Sequence, residues 1–344
     1  MTSLVHNETS ADRNDSTASI IRKEIDGIYN LIADDLRAVN NLVQKSLQSE
    51  VALISQVGHY IINNGGKRLR PVISVLSAQA FSYKGTQHIQ LATIVEFIHT
   101  ATLLHDDVVD GSQMRRGKDT ANAIWGNQAS VLVGDFLYSR AFEMMVEIGS
   151  MRVMEILAHA TNTIAEGEVM QLLNCHDPDT TEENYLNVIY CKTAKLFEAA
   201  AHLGGIISGC TPEQEQALAS YGIHLGTAFQ LRDDVLDYSA SPEQIGKNIG
   251  DDLAEGKPTL PLIYAMRAGT AEQAKIIRHA IENEGRAGIE NVTRAIESTG
   301  AIAYTAGVAQ QEAEKAMAAL DGLPDSPYLE ALRKLAEFSV HRNF

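Results

Sequence analysis

The chain has 344 residues, and its 28 basic and 44 acidic side chains give a formal net charge of −16, which argues against a protein that binds nucleic acid through bulk electrostatics. Hydrophobic residues make up 45% of the chain, enough for a substantial core, so a wholly disordered protein is excluded. Three cysteines without metal-site spacing indicate a reducing compartment, the cytoplasm, and a structural role for each thiol. No apolar run reaches the ~18 residues of a membrane span.

Helical periodicity runs through almost the whole chain. Residues 1–19 are polar and are predicted to form a mobile tail, and from Ile20 onward apolar residues recur every three or four positions, as on one face of an amphipathic helix. The same pattern predicts helices over residues 51–62, from Pro71 onward, and over 88–110, 129–148, 152–173, 182–208, 212–238 and 259–266. No alternating run of five or more residues predicts a strand. We therefore expect one all-α domain over residues 20–344.

An Asp-Asp-Xaa-Xaa-Asp motif occurs twice. Its members are Asp106, Asp107 and Asp110 in the first copy and Asp233, Asp234 and Asp237 in the second. The first and last aspartates of each copy share one helix face, where like charges repel. Both copies end predicted core-facing helices, where the helix dipole disfavours anions. A single copy would fit a solvated helix face equally well, but the pair predicts a metal site, because Mg²⁺ is bound by carboxylates together with substrate phosphates.

The cations of this acidic chain are concentrated in a few short segments. They stand in GGKRLRP, which contains Lys67 and Arg70, at Arg115 and Arg116 after the first motif, in KTAK from Lys192, and at Lys247 and Lys257 around a glycine-rich loop. Guanidinium and ammonium groups are the natural partners of phosphate oxygens. We interpret the two sets of residues as sites for two diphosphates, one bound through metal and one by cations alone. Each dibasic pair taken alone would fit an ordinary solvated surface.

These segments carry a specific resemblance. In order along the chain, GGKRLRP, LLHDDVVDGSQMRRG, GDFLYSRAF, KTAKLF, AFQLRDDVLDY and GKNIGDDLAEGKPTLPLIYA resemble the trans-isoprenyl diphosphate synthases, from about Ile20 to Phe344. The resemblance implies an all-α helical bundle around a deep central cavity, as a homodimer. It implies head-to-tail addition of isopentenyl diphosphate to an allylic primer such as farnesyl diphosphate, with two to three Mg²⁺ ions that Mn²⁺ can replace. The likeness is greatest to the branch that makes octaprenyl diphosphate for quinone side chains, a product expected to pass to the membrane.

The resemblance also assigns roles to individual positions. The six motif aspartates would bind the metal ions, and the catalytic set would be Asp106, Asp107, Asp110, Lys192, Asp233 and Asp234. The allylic diphosphate would be held by Arg115, Lys192, Thr193, Gln230, Lys247 and Lys257. Isopentenyl diphosphate would be held without metal by Lys67, Arg70, His99 and Arg116. His99 could instead be an ordinary core histidine, but its place two helical turns before Asp106 favours the pocket.

Product length is expected to depend on the residues one turn before the first motif. Ala101 and Thr102 are small where short-chain members of the family carry aromatic rings, so the shaft is predicted to stay open for about forty carbons. Met145 and Leu157 are candidates for its floor, although ordinary core packing explains them more simply. Shorter farnesyl or geranylgeranyl products and a longer solanesyl product remain alternatives. A terpene cyclase or head-to-head synthase would lack the GGKRLRP segment, and a non-catalytic regulatory subunit would have degraded aspartate motifs.

Overall fold

The computed structural model describes residues 23–239, 250–283 and 288–342, so the predicted tail over residues 1–19 lies outside the described part. The described chain begins with helical residues 23–31. The helices that follow are α1 (Ala33–Ser46), α2 (Ala52–Asn63), α3 (Leu69–Ala80), α4 (Gln87–Val109), α5 (Ala121–Trp125), α6 (Asn127–Ile148), α7 (Met151–Asn174), α8 (Glu182–Ile189), α9 (Lys195–Ser208), α10 (Pro212–Ser239), α11 (Asp251–Ala254), α12 (Leu260–Ala268), α13 (Ala271–Glu282), α14 (Ile289–Thr299), α15 (Ala301–Ala319) and α16 (Pro327–His341). The predicted all-α architecture is confirmed.

Helix α4 is the central element that positions the site. The apolar residues that recur every three or four positions along the predicted helix 88–110, at Leu91, Ile94, Val95, Ile98, Ala101 and Leu104, are completely buried. The helix packs against α3 on one side and α6 on the other, and α9 packs against α3, α4 and α10. Together these helices enclose the main hydrophobic core, which includes the fully buried rings of Phe97, Phe197 and Tyr221. The core thus fixes the C-terminal end of α4, where the first aspartate motif stands.

A short hairpin follows α4 that the periodicity did not predict. Strands Met114–Arg115 and Lys118–Asp119 pair in antiparallel register, each too short to leave an alternating pattern. Between them, Arg116 and Gly117 have φ values of 54° and 74°, and two left-handed residues define the tight turn that joins neighbouring antiparallel strands. The turn directs the two consecutive arginines to different partners, Arg115 to Asp107 and Arg116 to the Gly65 carbonyl.

The predicted helix over residues 182–208 is interrupted by a π-helical turn, Tyr190–Ala194. Such turns are rare and often mark functional sites. Two neighbouring helices approach this turn so closely that only glycine fits at the contact. A Cβ at Gly167 on α7 would lie 2.7 Å from the Lys192 amide nitrogen, and one at Gly226 on α10 would lie 2.6 Å from the Ala194 Cα. The π-helical turn is therefore clamped between α7 and α10.

Candidate active site

The first aspartate motif faces a large cavity. Asp106 and Asp110 both line it, one turn apart at the end of α4. Burial raises the pKa of Asp106, and the ammonium of Lys192 opposes that rise from 3.8 Å, the distance between Lys192 Nζ and Asp106 Oδ2. The same ammonium lies 2.6 Å from Glu168 Oε2. Lys192, on the π-helical turn, thus pairs with two carboxylates of the cavity wall.

Glu168 is a site residue that sequence reasoning missed. It lies on α7 and lines the cavity beside the first motif, and burial raises its pKa to about 7 even though Lys192 opposes the shift. In the sequence it is one acid among several on an amphipathic helix. Only the close packing of α7 on the π-helical turn, which Gly167 allows, brings it to Lys192. No local pattern carries that information.

The second aspartate of the first motif points away from its neighbours. Asp107 is completely buried, and Arg115 donates to its Oδ1 from two guanidinium nitrogens, each at 2.8 Å. Asn122 fixes the same turn by donating to the Asp107 carbonyl at 3.1 Å. Adjacent helical residues are rotated by about 100°, so Asp107 cannot share the face of Asp106. Its role as a metal ligand stays a prediction, and its geometry is that of a group that orients Arg115.

Lys257 pairs with the last aspartate of the first motif. Its Nζ lies 3.0 Å from Asp110 Oδ2 and 2.5 Å from Glu255 Oε2. Burial lowers the pKa of Lys257, but the two carboxylates outweigh that effect and raise it above its ordinary value. This contact brings the segment after α11 onto the end of α4. Lys247, which was predicted to act with it, lies outside the described residues.

The second aspartate motif stands on α10. Asp234 is almost completely buried; Tyr185 donates its hydroxyl proton to Oδ2, and Gln230 donates to Oδ1 at 3.0 Å. Burial, with the charge of Asp252, raises the pKa of Asp234 to about 8. Thr193 donates to Gln230 Oε1 at 3.1 Å. The π-helical turn therefore links the two motifs, because Lys192 pairs with Asp106 of the first and Thr193 reaches Asp234 of the second through Gln230.

The other two aspartates of the second motif differ in exposure. Asp233 is 43% exposed and accepts a 2.6 Å ion pair from Arg342, whose own side chain is only 5% exposed. Asp237 is buried, and its carbonyl accepts from the Gly250 amide at 3.1 Å. Arg342 is a second residue that sequence reasoning missed, since it stands near the end of the chain, far from any motif. Its position depends on how α16 packs.

The cations predicted to hold the second diphosphate lie together, near Asp233. Arg70 Nη1 is 3.1 Å from His99 Nε2, and Arg116 donates to the Gly65 carbonyl of the glycine turn. Tyr29 holds that turn from the other side by donating to the Lys67 carbonyl. Burial, with the Arg70 charge, holds the pKa of His99 well below its usual range. His99 is thus a neutral acceptor for Arg70.

Two aromatic rings, the buried Phe197 and the partly buried Phe229, support guanidinium groups in this region. The Arg70 guanidinium lies 4.4 Å from the centre of the Phe197 ring, and that of Arg342 lies 3.6 Å from the centre of Phe229. The two rings are neighbours, with 5.7 Å between centroids. Burial lowers the pKa of Arg70 to about 10, so it remains charged at neutral pH. The ring faces compensate part of this desolvation and aim both cations at the region around Asp233.

The cavity has a volume of about 1670 Å³, larger than the ~300–1,000 Å³ of common small-molecule pockets. It begins at the first motif, where His105 Nε2 lies 3.4 Å from Asp135 of α6. From Asp135 to Val146, both of which line it, the cavity follows α6 for about 16 Å at ~1.5 Å per residue. Phe142 and, on α7, Ala158 line the same end. The carboxylates of the first motif thus stand at one end of a long cavity that is apolar along part of its length.

Three of the four residues predicted to control chain length do not line the cavity, and their role in product length stays a prediction. Ala101, Met145 and Leu157 are packed in the main core, at most 1% exposed, and are absent from the cavity wall. Thr102 does line the cavity. The reason is angular, because one residue along a helix turns the side chain by about 100°. The next residues along each helix, Thr102, Val146 and Ala158, do line the cavity.

The acidic residues present fit a hard divalent cation that substrate helps to hold. No group of three or more His, Cys, Asp or Glu side chains within residues 23–239, 250–283 and 288–342 forms a closed metal cage. Asp106 and Asp110 instead offer carboxylate oxygens on one face of α4 and at the cavity wall. Mg²⁺ is ordinarily bound by one or two carboxylates, with water and substrate phosphates completing the shell. The open arrangement therefore suits a metal that arrives with a diphosphate.

Comparison with known proteins agrees with this geometry. Residues 51–299 match the polyprenyl synthetase family. The chain is 58% identical to octaprenyl diphosphate synthase of Escherichia coli strain K12 over 320 residues, 93% of this chain and 99% of that protein. It is 45% identical to all-trans-nonaprenyl-diphosphate synthase (geranyl-diphosphate specific) of Rhodobacter capsulatus, over 90% and 96% of the two chains. A polyprenyl synthase from Caulobacter crescentus CB15, solved with calcium and isoprenyl diphosphate, matches with a TM-score of 0.90 at 46% identity, over 93% and 98%.

These matches extend over nearly the full length of both partners, and they include the helices that carry both aspartate motifs. The resemblance stated from the sequence is thereby confirmed, as is the all-α fold. The site roles of individual residues stay predictions. The chain belongs to the polyprenyl synthetase family, whose members are prenyltransferases that use divalent metal ions.

Proposed function

We propose that this protein is a long-chain all-trans-polyprenyl diphosphate synthase that adds isopentenyl diphosphate units to farnesyl diphosphate and releases octaprenyl diphosphate. The observation that carries the proposal is the 1670 Å³ cavity that begins at the first aspartate motif. A growing apolar chain whose diphosphate stays at the aspartates has an apolar shaft to enter. The identity of 58% to an octaprenyl diphosphate synthase supports a product of forty carbons.

The reaction follows from where the charges lie. Divalent ions at Asp106, Asp110 and Asp233 would stabilise the negative charge that develops on the departing allylic diphosphate. Lys192 and Lys257, already paired with the first motif, would contact the same group as it leaves. Arg70, Arg116, Lys67 and His99 would hold isopentenyl diphosphate so that its double bond faces the allylic carbon. The carbon–oxygen bond breaks, the double bond attacks the allylic cation, and a proton passes to the departing diphosphate.

The metal is proposed to be Mg²⁺, in two to three ions, with Mn²⁺ as a substitute. All the motif ligands are carboxylate oxygens, the hard donors that these cations prefer. Mg²⁺ needs no protein ligand besides these carboxylates, because substrate phosphates complete the coordination shell of the ion. Removal of metal with EDTA should abolish condensation, and added Mg²⁺ should restore it.

A second copy of the chain is the proposed partner. Outside the cavity wall, large apolar side chains that are more than one-third exposed stand on α6 and α7, at Val131, Leu132, Met151 and Leu173. Exposed apolar side chains of this size are typical of interaction surfaces, which supports a homodimer through these helices. No described helix is long and apolar enough to span a bilayer. The three cysteines form no disulfide, which supports the cytoplasm as the proposed compartment, and the product would pass to the membrane for quinone side chains.

A longer product is the second candidate, since the relative at 45% identity is named for nonaprenyl diphosphate. One assay decides between them. The purified protein is incubated with farnesyl diphosphate, labelled isopentenyl diphosphate and Mg²⁺, and the dephosphorylated products are separated by chromatography. We expect a forty-carbon product. A forty-five-carbon product would establish the second candidate, and a failure to extend farnesyl diphosphate would contradict the proposal.

The shaft can be tested with one substitution. Thr102→Phe places a ring in the cavity wall one turn from Asp106, so elongation should stop near fifteen to twenty carbons while condensation continues. Ala101→Tyr is the matched comparison. Because Ala101 is completely buried, its ring would overpack the core and lower stability by about 1–3 kcal/mol. An unchanged long product from Thr102→Phe would show that this wall does not line the path of the chain.

A further inference from the structure

One buried acid remains outside the mechanism described above. Four aspartate or glutamate side chains are buried in the described part of the chain, and three of them, Asp107, Asp234 and Asp237, belong to the aspartate motifs. The fourth is Glu96, on α4, only 7% exposed and one turn before His99. A buried carboxylate is strongly unfavourable unless charges or hydrogen bonds compensate it.

Glu96 faces the cations of the proposed isopentenyl diphosphate site. Its Oε1 lies 3.7 Å from Arg68 Nε. Burial raises the pKa of Glu96, while the nearby guanidiniums of Arg68, Arg70 and Arg116 each oppose that rise. Its second carboxylate oxygen, Oε2, is buried without a hydrogen-bond partner among the described residues. The carboxylate therefore interacts with this cluster chiefly through charge.

By charge alone, a glutamate at position 96 is unfavourable for binding a diphosphate. A carboxylate repels a diphosphate and cancels part of the attraction of the arginines. If it only filled space, its loss would strengthen binding of the anion. Its presence therefore needs another effect that outweighs the repulsion, and the backbone of Arg68 supplies one.

Arg68 is the cation of the GGKRLRP segment that has no assigned role. Its φ of 46° places it in the left-handed region, which is unfavourable for a residue with a side chain, by roughly 1–3 kcal/mol. It directly precedes α3 and separates Lys67 from the turn that carries Arg70. Its guanidinium donates to Asn40 and, at 3.3 Å, to the Ile62 carbonyl, and faces Glu96 on the remaining side. The Arg68 side chain thus anchors the strained turn.

We propose that the Arg68–Glu96 pair is a positioning device for the metal-free diphosphate site. Glu96 holds Arg68, Arg68 holds the left-handed turn, and the turn aims Lys67 and Arg70 at the diphosphate. Neither member of the pair is proposed to touch substrate. The inference rests on the proposed function, since it presumes that Lys67 and Arg70 bind isopentenyl diphosphate.

The test is the steady-state kinetics of Glu96→Gln, which removes the charge and keeps the shape. We expect KM for isopentenyl diphosphate to rise about tenfold, while kcat and KM for farnesyl diphosphate change less than about twofold. The matched control is Glu312→Gln, at a partly buried carboxylate that pairs with His224 on the far side of α10, and it should leave all three constants unchanged. Calorimetric titration of isopentenyl diphosphate in metal-free buffer should show the same loss of affinity without turnover.

Arg68→Met provides an independent route if Glu96→Gln does not fold. It should raise the same KM by a similar factor, and the double variant should be no worse than either single one, because both remove one pair. An unchanged or lower KM for isopentenyl diphosphate in both single variants would overturn the inference and leave Glu96 as a mere repulsive charge. Failure of the unmodified protein and of Glu312→Gln to condense substrates would instead contradict the proposed function.

Discussion

The two proposed diphosphate sites take the same chemical group by opposite means. The first is built from carboxylates at the ends of α4 and α10, and its net charge must be reversed by ions that come from solution. The second is built from Lys67, Arg70 and Arg116, and is positively charged at neutral pH without any added ion. Between them stand Asp233 and Arg342, an ion pair of 2.6 Å that marks the boundary.

The two sites also differ in how their buried charged groups are compensated. At the first site Lys192 and Lys257 pair with Asp106 and Asp110, so the acids are compensated before substrate arrives. At the second site the arginines rest on aromatic rings and share the carboxylate of Glu96 as counter-charge. A leaving diphosphate benefits from mobile, strongly charged ions that stabilise it as its bond breaks. An attacking substrate must keep its diphosphate throughout, and fixed cations suffice for that.

The largest expected effect is at the first site. Asp106→Asn removes one carboxylate from the face that would hold the metal, so kcat should fall by about a hundredfold to a thousandfold or more, with helix content unchanged by circular dichroism. Asp135→Asn is the control, because Asp135 lines the same cavity beside His105 but lies outside both motifs. Equal losses in the two variants would mean that general cavity charge, rather than the motif, drives the reaction.

A smaller and more selective effect separates the sites. Arg70→Met should raise KM for isopentenyl diphosphate about tenfold to a hundredfold, the value of a lost charge-assisted contact. Lys192→Met should instead impair kcat or KM for farnesyl diphosphate, since Lys192 lies at the first motif. Both constants are measured by varying each substrate at saturation of the other. If both variants damaged only the allylic substrate, the division into two sites would be wrong.

The smallest effect is a pH dependence confined to the second site. Burial, together with the charge of Arg342, lowers the pKa of Lys67 to about 8. Lys67 is therefore mainly a cation below pH 8 and mainly neutral above it, so kcat/KM for isopentenyl diphosphate should fall by up to about tenfold between pH 7 and pH 9. Lys67→Arg keeps the charge at both pH values and should flatten the profile. A profile that is equally steep in the variant would assign the titration to another group.

Local pattern was sufficient for most of the fold. The apolar spacing of Leu91, Ile94 and Ile98 predicted both the length and the buried face of α4, because helix periodicity and burial report the same geometry. The hairpin after α4 was not predicted, because a strand of two residues is too short to show a period of two. The π-helical turn at Lys192 escaped because it depends on contact with two glycines of distant helices.

The site was predictable only where chemistry is clustered in sequence. Repeated acids marked both aspartate clusters, whereas Glu168, Tyr185 and Arg342 reach these clusters only through tertiary packing. Orientation was harder than location. Asp107 lies in the motif yet turns to Arg115, and Ala101 lies beside Thr102 yet faces the core. Such one-residue differences depend on the exact rotation of α4, which a sequence pattern defines only to within a residue.

The contrast between the two sites is tested most directly by binding without turnover. Isopentenyl diphosphate and a non-reacting thiodiphosphate analogue of farnesyl diphosphate are each titrated calorimetrically into the protein, in EDTA and in excess Mg²⁺. We predict that the Kd of isopentenyl diphosphate changes less than about threefold between the two buffers, whereas the analogue loses about a hundredfold in affinity without metal, or ~2.7 kcal/mol. Equal metal dependence of the two ligands would contradict the assignment of one diphosphate to metal-bound carboxylates and the other to fixed cations.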